Sequence, residues 1–225
     1  MAGQTRHDDA MPRPESFISI DIEASGPSPS TGSMIALGAC LVTDPRVGLY
    51  REVRPIAGAT WDPDTELIHR LTASHLAEHG VAPLQAMADL DEWLLEVAPG
   101  RQPVFVGFNA AFDWMFVADY LHRFLGRNPF GISALDLKGV YMGRQALARW
   151  DATRYREVMR THPTRLQVSH HALEDARAQA ELAQLLLPSG PNMPPEVERS
   201  IPFGGHPQDA EAGVHVEHLA SDRSG

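Results

Sequence analysis

Residues 17–26 read FISIDIEASG, a pattern typical of a strand with one apolar face. Every second position is an isoleucine, whereas the positions between them end in two carboxylates, Asp21 and Glu23. Side chains alternate across a strand, so the isoleucines face one side and the carboxylates the other, about 7 Å apart. Two like charges on a half-buried strand repel, and each loses hydration. The segment therefore predicts a buried strand with something positive placed over its carboxylates.

Length and composition predict one domain with tails. The chain has 225 residues, of which 43% are hydrophobic and 21% are charged, as in soluble globular proteins. No apolar run approaches the roughly 18–20 residues of a membrane span, and the N-terminus lacks the apolar core of a signal peptide. Cys40 is the single cysteine, which excludes an internal disulfide and a cysteine-based metal site and predicts a buried, inert thiol. We expect a cytoplasmic protein without membrane partners.

The net charge is −10, carried by 29 acidic residues against 18 arginines and one lysine, Lys138. Such a charge is unsuited to wrapping long duplex nucleic acid by electrostatics alone. It does not exclude a small site that handles a strand end with a metal ion. We therefore expect few phosphate contacts and a shallow salt dependence of any nucleic-acid binding.

The chain divides into three predicted parts. Residues 1–14 are polar and predicted to be disordered, residues 15–187 form one domain, and residues 188–225 form a Pro- and Gly-rich acidic tail, mostly disordered. Within the domain, strands are predicted at 17–23, 34–43, 48–54, 104–108 and 132–137, and helices at 83–97, 110–125, 138–148 and 170–186, with helical turns at 64–79. Short intervals between the first three strands favour an antiparallel meander. The order predicts an α/β fold, a mixed sheet flanked by helices.

Asp113 breaks the apolar pattern of the predicted helix 110–125. It precedes Phe116 and Val117 by three and four residues, so it falls beside the apolar stripe. An acid in the first turn is favoured by the helix dipole, with Asn109 as the predicted N-cap. Dipole placement does not explain why this acid lies beside the core.

Asp175 lies near the start of the last predicted helix. Taken alone it has the pattern of a surface acid, and His171, four residues earlier, is spaced to pair with it on the helix surface. Small alanines on the same helix allow close approach to a neighbouring element.

Together these acids form an ordered set: D-x-E in IDIEASG, an Asp in FNAAFD, and an Asp in HHALED. This set resembles the DEDD exonucleases of the ribonuclease H-like fold, a group that includes proofreading exonucleases, oligoribonuclease and ribonuclease T. The resemblance runs from about residue 16 to 187. His170, Ala172 and Asp175 match the H-x-A-x-x-D pattern of the histidine branch, DEDDh. One departure is Phe108, where the family often has a histidine; we expect little effect.

The resemblance implies a two-metal site. Asp21, Glu23, Asp113 and Asp175 would hold two divalent cations, Mg²⁺ or Mn²⁺, because hard cations prefer oxygen ligands. Two ions about 3.5–4 Å apart can clamp a phosphodiester. His170 would take the proton of the attacking water, since a free imidazole with a pKa of about 6.5 can act as a base near neutral pH.

The resemblance also implies a 3′–5′ exonuclease that hydrolyses the 3′-terminal phosphodiester of a single-stranded nucleic acid and releases a 5′-nucleotide. The pocket for the 3′ end is predicted at Ala24, Ser25, Gly26, Met34, Ile35 and Asn109. The apolar Met34 and Ile35 are candidates to wedge against terminal bases, with plain strand core as the alternative. The residues do not distinguish DNA from RNA.

Two further hypotheses remain open at this point. The chain could be a catalytically silent, nuclease-like binding module, although all five motif residues are present. It could also be a proofreading subunit tethered to a polymerase through its tail, in which SIPFGG around Phe203 is the candidate docking motif. A homodimer is predicted by analogy with DEDDh relatives.

Overall fold

The computed structural model describes residues 13–188, in which five strands form one mixed sheet. The strands are β1 (Glu15–Ala24), β2 (Met34–Leu41), β3 (Gly48–Glu52), β4 (Gln102–Gly107) and β5 (Ala134–Asp136). Their order in the sheet is β3-β2-β1-β4-β5, with β1, β2 and β3 antiparallel and β4 and β5 parallel to β1. The predicted meander and mixed sheet are confirmed. Residues 1–12 and 189–225, which hold most of both predicted tails and SIPFGG, lie outside the described residues.

Seven α-helices accompany this sheet in the part of the chain that the structure describes. They are α1 (Pro63–His69), α2 (Ala73–His79), α3 (Pro83–Val97), α4 (Ala111–Tyr120), α5 (Leu137–Arg144), α6 (Tyr155–Thr161) and α7 (Ala172–Leu186). A wider π-helical turn, Leu121–Leu125, extends α4 as far as Gly126, whose φ of +69° ends the helix as predicted. Over residues 13–188, no helix has both the length and the apolar character that a membrane crossing requires.

The central strand β1 divides the core in two. Ile18 and Ile20 are fully buried on one face, in a cluster with Met87 of α3 and Phe116 of α4. On the opposite face Phe17 packs with the cluster that contains Ala180 of α7. The predicted alternation of FISIDIE is therefore confirmed. It places Asp21 and Glu23 on the side of the sheet that α7 covers.

Several predicted bounds are wrong for local reasons. The helix predicted at 138–148 ends at Arg144, and Ala146 follows in the left-handed region with a φ of +49°. The last helix begins at Ala172 rather than 170, because His170 also has a left-handed φ of +59°. Leu84 of α3 is 53% exposed, because Ala86, Met87 and Leu90 form the buried face of that helix.

Cys40 lies near the end of β2 and is fully buried. Burial raises the pKa of its thiol to about 12, so the thiolate does not form at ordinary pH. This agrees with the predicted inert thiol.

Candidate active site

Asp21 and Glu23 lie near the carboxyl end of β1, and both side chains are half-buried. The contact on Asp21 is a neutral amide: Gln179 of α7 donates from Nε2 to Asp21 Oδ1 at 2.6 Å. The other atom of that amide, Gln179 Oε1, accepts a hydrogen bond from the backbone N–H of Phe108 at 2.8 Å. One glutamine therefore fixes the carboxylate of β1 against α7 and against the residue that follows β4.

Gly38 of β2 brings the start of α7 onto the sheet beside Asp21. Gly38 is the antiparallel partner of Asp21 in the ladder. A Cβ at this position would lie 2.2 Å from the carbonyl carbon of Ala172 and from the nitrogen of Leu173. Only glycine permits this approach of helix backbone to strand backbone. The closeness of α7 to the carboxylates of β1 therefore depends on one missing side chain.

Asp113 enters the site from the first turn of α4 and is 5% exposed. Pairing of β1 with β4 runs only as far as Ser19 and Val106, which leaves later N–H groups of β1 without a ladder partner on that side. One of them, the N–H of Ile22, donates to Asp113 Oδ1 at 3.1 Å. The predicted position of this acid beside the core stripe is confirmed, and its bond to β1 ties α4 to the strand that carries Asp21.

Asp175 is 4% exposed, so its interpretation as a surface acid is wrong. Its carboxylate accepts hydrogen bonds from the N–H of Ser169 at 2.6 Å, the hydroxyl of Ser169 at 3.1 Å and the N–H of His170 at 3.0 Å. These three bonds fold the 169–170 segment over the start of α7. They hold the left-handed backbone of His170, whose side chain is exposed, next to the acids.

The predicted surface pair between His171 and Asp175 is also wrong. The ring of His171 stacks on Tyr50 of β3, with ring centroids 4.3 Å apart and planes 22° apart. Its backbone carbonyl accepts the N–H of Asp175 at 2.9 Å, as the N-cap of α7. His171 thus packs against the sheet, while the adjacent His170 faces the acids.

Burial, and to a lesser extent mutual repulsion, raises the pKa values of three of the acids in the site. Desolvation, followed by the negative charges of Asp175 and Asp113, raises the pKa of Glu23 to about 7. Desolvation likewise raises the pKa of Asp113 to about 7, against hydrogen bonds that lower it. Desolvation and neighbouring carboxylates hold the pKa of Asp21 well above its usual range, and the Gln179 bond only partly opposes them. These acids are therefore difficult to ionise together without a cation.

The donor set fits a hard divalent cation. Ligand atoms of Glu23, His170 and Asp175 all lie within 4.8 Å of one another. Asp21 shares the strand face of Glu23, and burial together with the negative charges of Asp113, Glu23 and Asp175 raises its pKa. Carboxylate oxygens are the ligands that Mg²⁺ and Mn²⁺ prefer. The structure thus brings Glu23, His170 and Asp175 together in one possible metal-binding group, and the charges of Asp21 and Asp113 lie close enough to interact with it.

Three of the predicted substrate residues form the turn that follows Glu23. A register shift separates Glu23 from Ala24 in the ladder with β2. The hydroxyl of Ser25 is fully buried, donates to the carbonyl of Thr60 at 2.8 Å and accepts the N–H of Ser33 at 2.9 Å. A Cβ on Gly26 would lie 3.2 Å from the Cα of Gly32. The turn is therefore fixed and small, and its contact with substrate stays a prediction.

The other three predicted substrate residues have different surroundings. Met34 and Ile35 are fully buried, so in this structure they have the strand-core role and present no surface to a base. The predicted N-cap role of Asn109 is wrong. Its φ is +64°, α4 begins at Ala111, and its side-chain oxygen accepts from Lys138 Nζ at 3.2 Å.

Two residues beside the acids were not found from the sequence. Gln179 follows Asp175 by four residues on α7, so the shared helix face was the signal that could have indicated it. Asp136 ends β5, and its Oδ1 accepts the N–H of Asn109 at 3.1 Å and of Lys138 at 2.8 Å. Its charge also raises the pKa of Asp113. Asp136 thus joins the turn before α4 to the start of α5.

Comparison with known proteins decides the family. No profile of a known protein family matches the chain. The chain is 40% identical over 173 residues to a curated protein of Escherichia coli, the 3′-5′ DNA exonuclease Cap18, covering 76% of this chain and 91% of the relative. The chain belongs to the DEDDh family of 3′–5′ exonucleases. It is a 3′–5′ exonuclease that acts on nucleic acid.

Solved structures show the same fold in other DEDDh exonucleases. The nuclease domain of 3′hExo bound to rAMP superposes with a TM-score of 0.61 at 13% identity, covering 75% of this chain and 89% of that domain. Escherichia coli Exonuclease I in complex with a dT13 oligonucleotide gives a TM-score of 0.60 at 18% identity, covering 76% of this chain. The chain spans 40% of the length of that Exonuclease I. The predicted ribonuclease H-like fold is confirmed.

Proposed function

We propose that this DEDDh exonuclease uses divalent cations to remove 5′-nucleotides one at a time from the 3′ ends of single-stranded DNA. The observation that carries the proposal is the proximity of Glu23, the exposed His170 and Asp175, whose ligand atoms lie within 4.8 Å of one another, with the charges of Asp21 and Asp113 beside them. DNA is proposed because the relative at 40% identity is a DNA exonuclease. The solved Exonuclease I complexes, which hold dT13 and dA16 oligonucleotides, support a single strand as the form of the substrate.

The residues have separate roles in this proposal. Asp21, Glu23 and Asp175 would hold one divalent cation, and Asp113 with Asp21 would hold a second. Cations bound there would lower the pKa of the attacking water and stabilise the charge on the leaving oxygen. Two hydrogen bonds would position these ligands: Gln179 donates to the carboxylate of Asp21, and the N–H of Ile22 donates to that of Asp113.

His170 would accept the proton of the attacking water. Its side chain is exposed, and one of its ring nitrogens lies within 4.8 Å of oxygens of Glu23 and Asp175. The backbone bond to Asp175 fixes the segment without occupying the ring. An exposed ring held at the rim of an acidic site has the access to water that a general base needs. The proton can then pass to solvent after each turnover.

The reaction products test this proposal. Single-stranded DNA and RNA of one sequence, labelled at the 5′ end, should give with Mg²⁺ a ladder that shortens by one nucleotide at a time, faster on DNA. Activity should vanish in EDTA and return with Mg²⁺ or Mn²⁺. Cutting of a circular single strand, or full activity in EDTA, would overturn the proposal. Strand binding without turnover would favour the silent binding module.

The homodimer and the polymerase tether stay predictions from the sequence. Size-exclusion chromatography with light scattering tests the first. A pull-down with and without residues 188–225 tests the second, because the candidate docking motif lies in that stretch.

A further inference from the structure

Residues 138–165, which we call the basic segment, reverse the charge of the chain. They contain seven of its 19 lysines and arginines and only two acids, whereas the whole chain has a net charge of −10. The segment comprises α5, a 3₁₀ turn at Trp150–Thr153 and α6. Its basic residues are Lys138, Arg144, Arg149, Arg154, Arg156, Arg160 and Arg165. Part of the molecule is therefore strongly positive, unlike the expectation from net charge.

The guanidinium groups of the basic segment are available to solvent. The side chains of four are 77% to 92% exposed: Arg149, Arg156, Arg160 and Arg165. Their ion pairs are formed with Asp151, Glu157 and Glu181 at 2.8–3.4 Å. Exposed pairs of this kind contribute little stability, about 0–1 kcal/mol. A phosphate can replace the carboxylate at low cost.

Three arginines of the basic segment line one cavity. It has a volume of 340 Å³, and its lining contains Arg149, Arg154 and Arg160 together with two acids, Asp151 and Glu157; the remaining lining residues are Tyr141, Leu147 and Ala152. The arginines come from the 3₁₀ turn region and from α6, so two elements converge on the same space. Planar guanidinium groups in such an arrangement suit phosphate oxygens, which they bind in a bidentate manner.

Trp150 lies beside the arginines with its side chain exposed. It is 50% exposed, although large aromatic side chains are usually buried. Lys138 Nζ lies 4.4 Å from its ring centroid, so one face carries a cation. Nucleic-acid bases stack on exposed aromatic rings without regard to sequence, and nearby cations attract the phosphates between them.

Both ends of the basic segment are hydrogen-bonded to residues on or beside the helices that carry Asp113 and Asp175. At one end Lys138 Nζ contacts Asn109, whose N–H is bound to Asp136 at the entry to α4. At the other end Glu181 of α7 accepts the N–H of Arg165 at 2.8 Å. Four residues further along the chain the 169–170 segment folds over Asp175. The basic segment is therefore joined at both ends to elements that carry the acids.

We propose that the basic segment binds the single strand upstream of its 3′ end, with phosphates on Arg149, Arg154 and Arg160 and a base on Trp150. This inference rests on the proposed function, since it extends the same substrate beyond the scissile bond. It assigns the affinity for long substrates to the segment and leaves the terminal nucleotide to the pocket after β1.

The test compares two variants with one matched control. The variants are Arg149→Ala/Arg154→Ala/Arg160→Ala and Trp150→Ala. The control is Arg46→Ala. Arg46 is 90% exposed, and its Nε and Nη2 donate to the carboxylate of Asp44 in the same way as those of Arg149 donate to Asp151. The substrate is an oligothymidylate of about 12 nucleotides, within the span of known single-strand sites. Inhibition by thymidine 5′-monophosphate reports the terminal pocket alone.

We expect the triple variant to raise the KM for the oligonucleotide by about tenfold and to reduce the salt slope of kcat/KM by about 2, for three lost phosphate contacts. Trp150→Ala should weaken oligonucleotide binding by about 5- to 100-fold, as for removal of one stacking platform. In both, the Ki of the mononucleotide should change much less than the KM. Arg46→Ala should match the wild type.

Unchanged KM and salt slope in both variants, with an active wild-type protein, would overturn this inference and leave the proposed function standing. A wild-type protein that binds the oligonucleotide in EDTA but never hydrolyses it would overturn the proposed function alone, provided that the variants lose that binding. Anisotropy of a labelled oligonucleotide in EDTA therefore accompanies the kinetic assay.

Discussion

Replacing Glu23 with glutamine should stabilise the metal-free protein at neutral and higher pH. Glu23 is the suitable perturbation because the carboxylates of Asp113 and Asp175 also accept backbone hydrogen bonds, so their replacement would remove structure together with charge. Glutamine has the shape of glutamate without its charge. The substitution therefore isolates the repulsion within the site.

The magnitude follows from the pKa of Glu23, which rises from an ordinary value of 4.5 to about 7. A carboxyl with a raised pKa contributes stability that is complete below its unfolded pKa and is lost as the pH rises through its folded pKa. The wild-type protein in EDTA should therefore lose stability between about pH 4.5 and 7, by up to about 3 kcal/mol for this group. Glu23→Gln should lack that loss.

The assay is thermal unfolding in EDTA at several pH values, followed by circular dichroism. At pH 8 the Tm of Glu23→Gln should exceed that of the wild type, by up to about 10 °C, and the difference should shrink as the pH falls toward 4.5. Adding Mg²⁺ at pH 8 should raise the Tm of the wild type more than that of the variant, because a ligand stabilises the state that binds it. Glu96→Gln, at an exposed position of α3, is the control. A variant that is less stable than the wild type in EDTA at pH 8, or a difference that does not change with pH, would refute the reasoning.

His170→Ala should lower kcat by about 10²–10⁴-fold, as expected for loss of a general base, and leave Mg²⁺-dependent stabilisation in place. His171→Ala removes only a ring that packs on Tyr50, so its kcat should stay near that of the wild type. The reverse ranking in steady-state kinetics would exchange the roles of the two histidines. Gln179→Leu should weaken the apparent affinity for Mg²⁺ by about 10- to 100-fold. The hydrogen bond from Gln179 lowers the pKa of Asp21, so its loss should raise that pKa and move the rise of the pH–rate profile to higher pH. An unmoved profile would show that the amide does not position that carboxylate. Gly38→Ala should abolish most activity while the protein still folds, because a Cβ 2.2 Å from the backbone of α7 forces the helix away from β1. Nuclease activity within about twofold of the wild type would contradict this close contact.

The parts of the fold that follow from local periodicity could be predicted from the sequence. The alternation in FISIDIE is set by the two-residue period of a strand, and the structure buries Ile18 and Ile20 accordingly. Pro83 begins α3 because its fixed φ suits the first turn of a helix. The order of the acids, together with a familiar pattern around His170, predicted the family. These signals are all carried by neighbours in sequence.

The parts that depend on distant contacts could not be predicted. The bond between Gln179 and Asp21 joins residues 158 positions apart, and the bond between Asp113 and Ile22 joins residues 91 apart. Asp175 has the pattern of a surface acid until the 169–170 segment folds back onto it. The end of α5 and the bounds of the short α6 depend on packing that no single window of sequence contains.

The three hydrogen bonds that Asp175 accepts from residues 169–170 constrain how this nuclease could evolve. A carboxylate that faces the other acids also holds the segment that carries His170, so a change at Asp175 would disturb the proposed metal site and the proposed base together. His170 has no such double duty, because it is held through its backbone and its ring can be replaced without loosening the segment. A lineage that drifts from cutting strands to merely holding them would therefore lose the histidine first and keep the aspartate. Among descendants of this sequence, an intact aspartate is a poor guide to activity, and the residue five positions before it is the informative one.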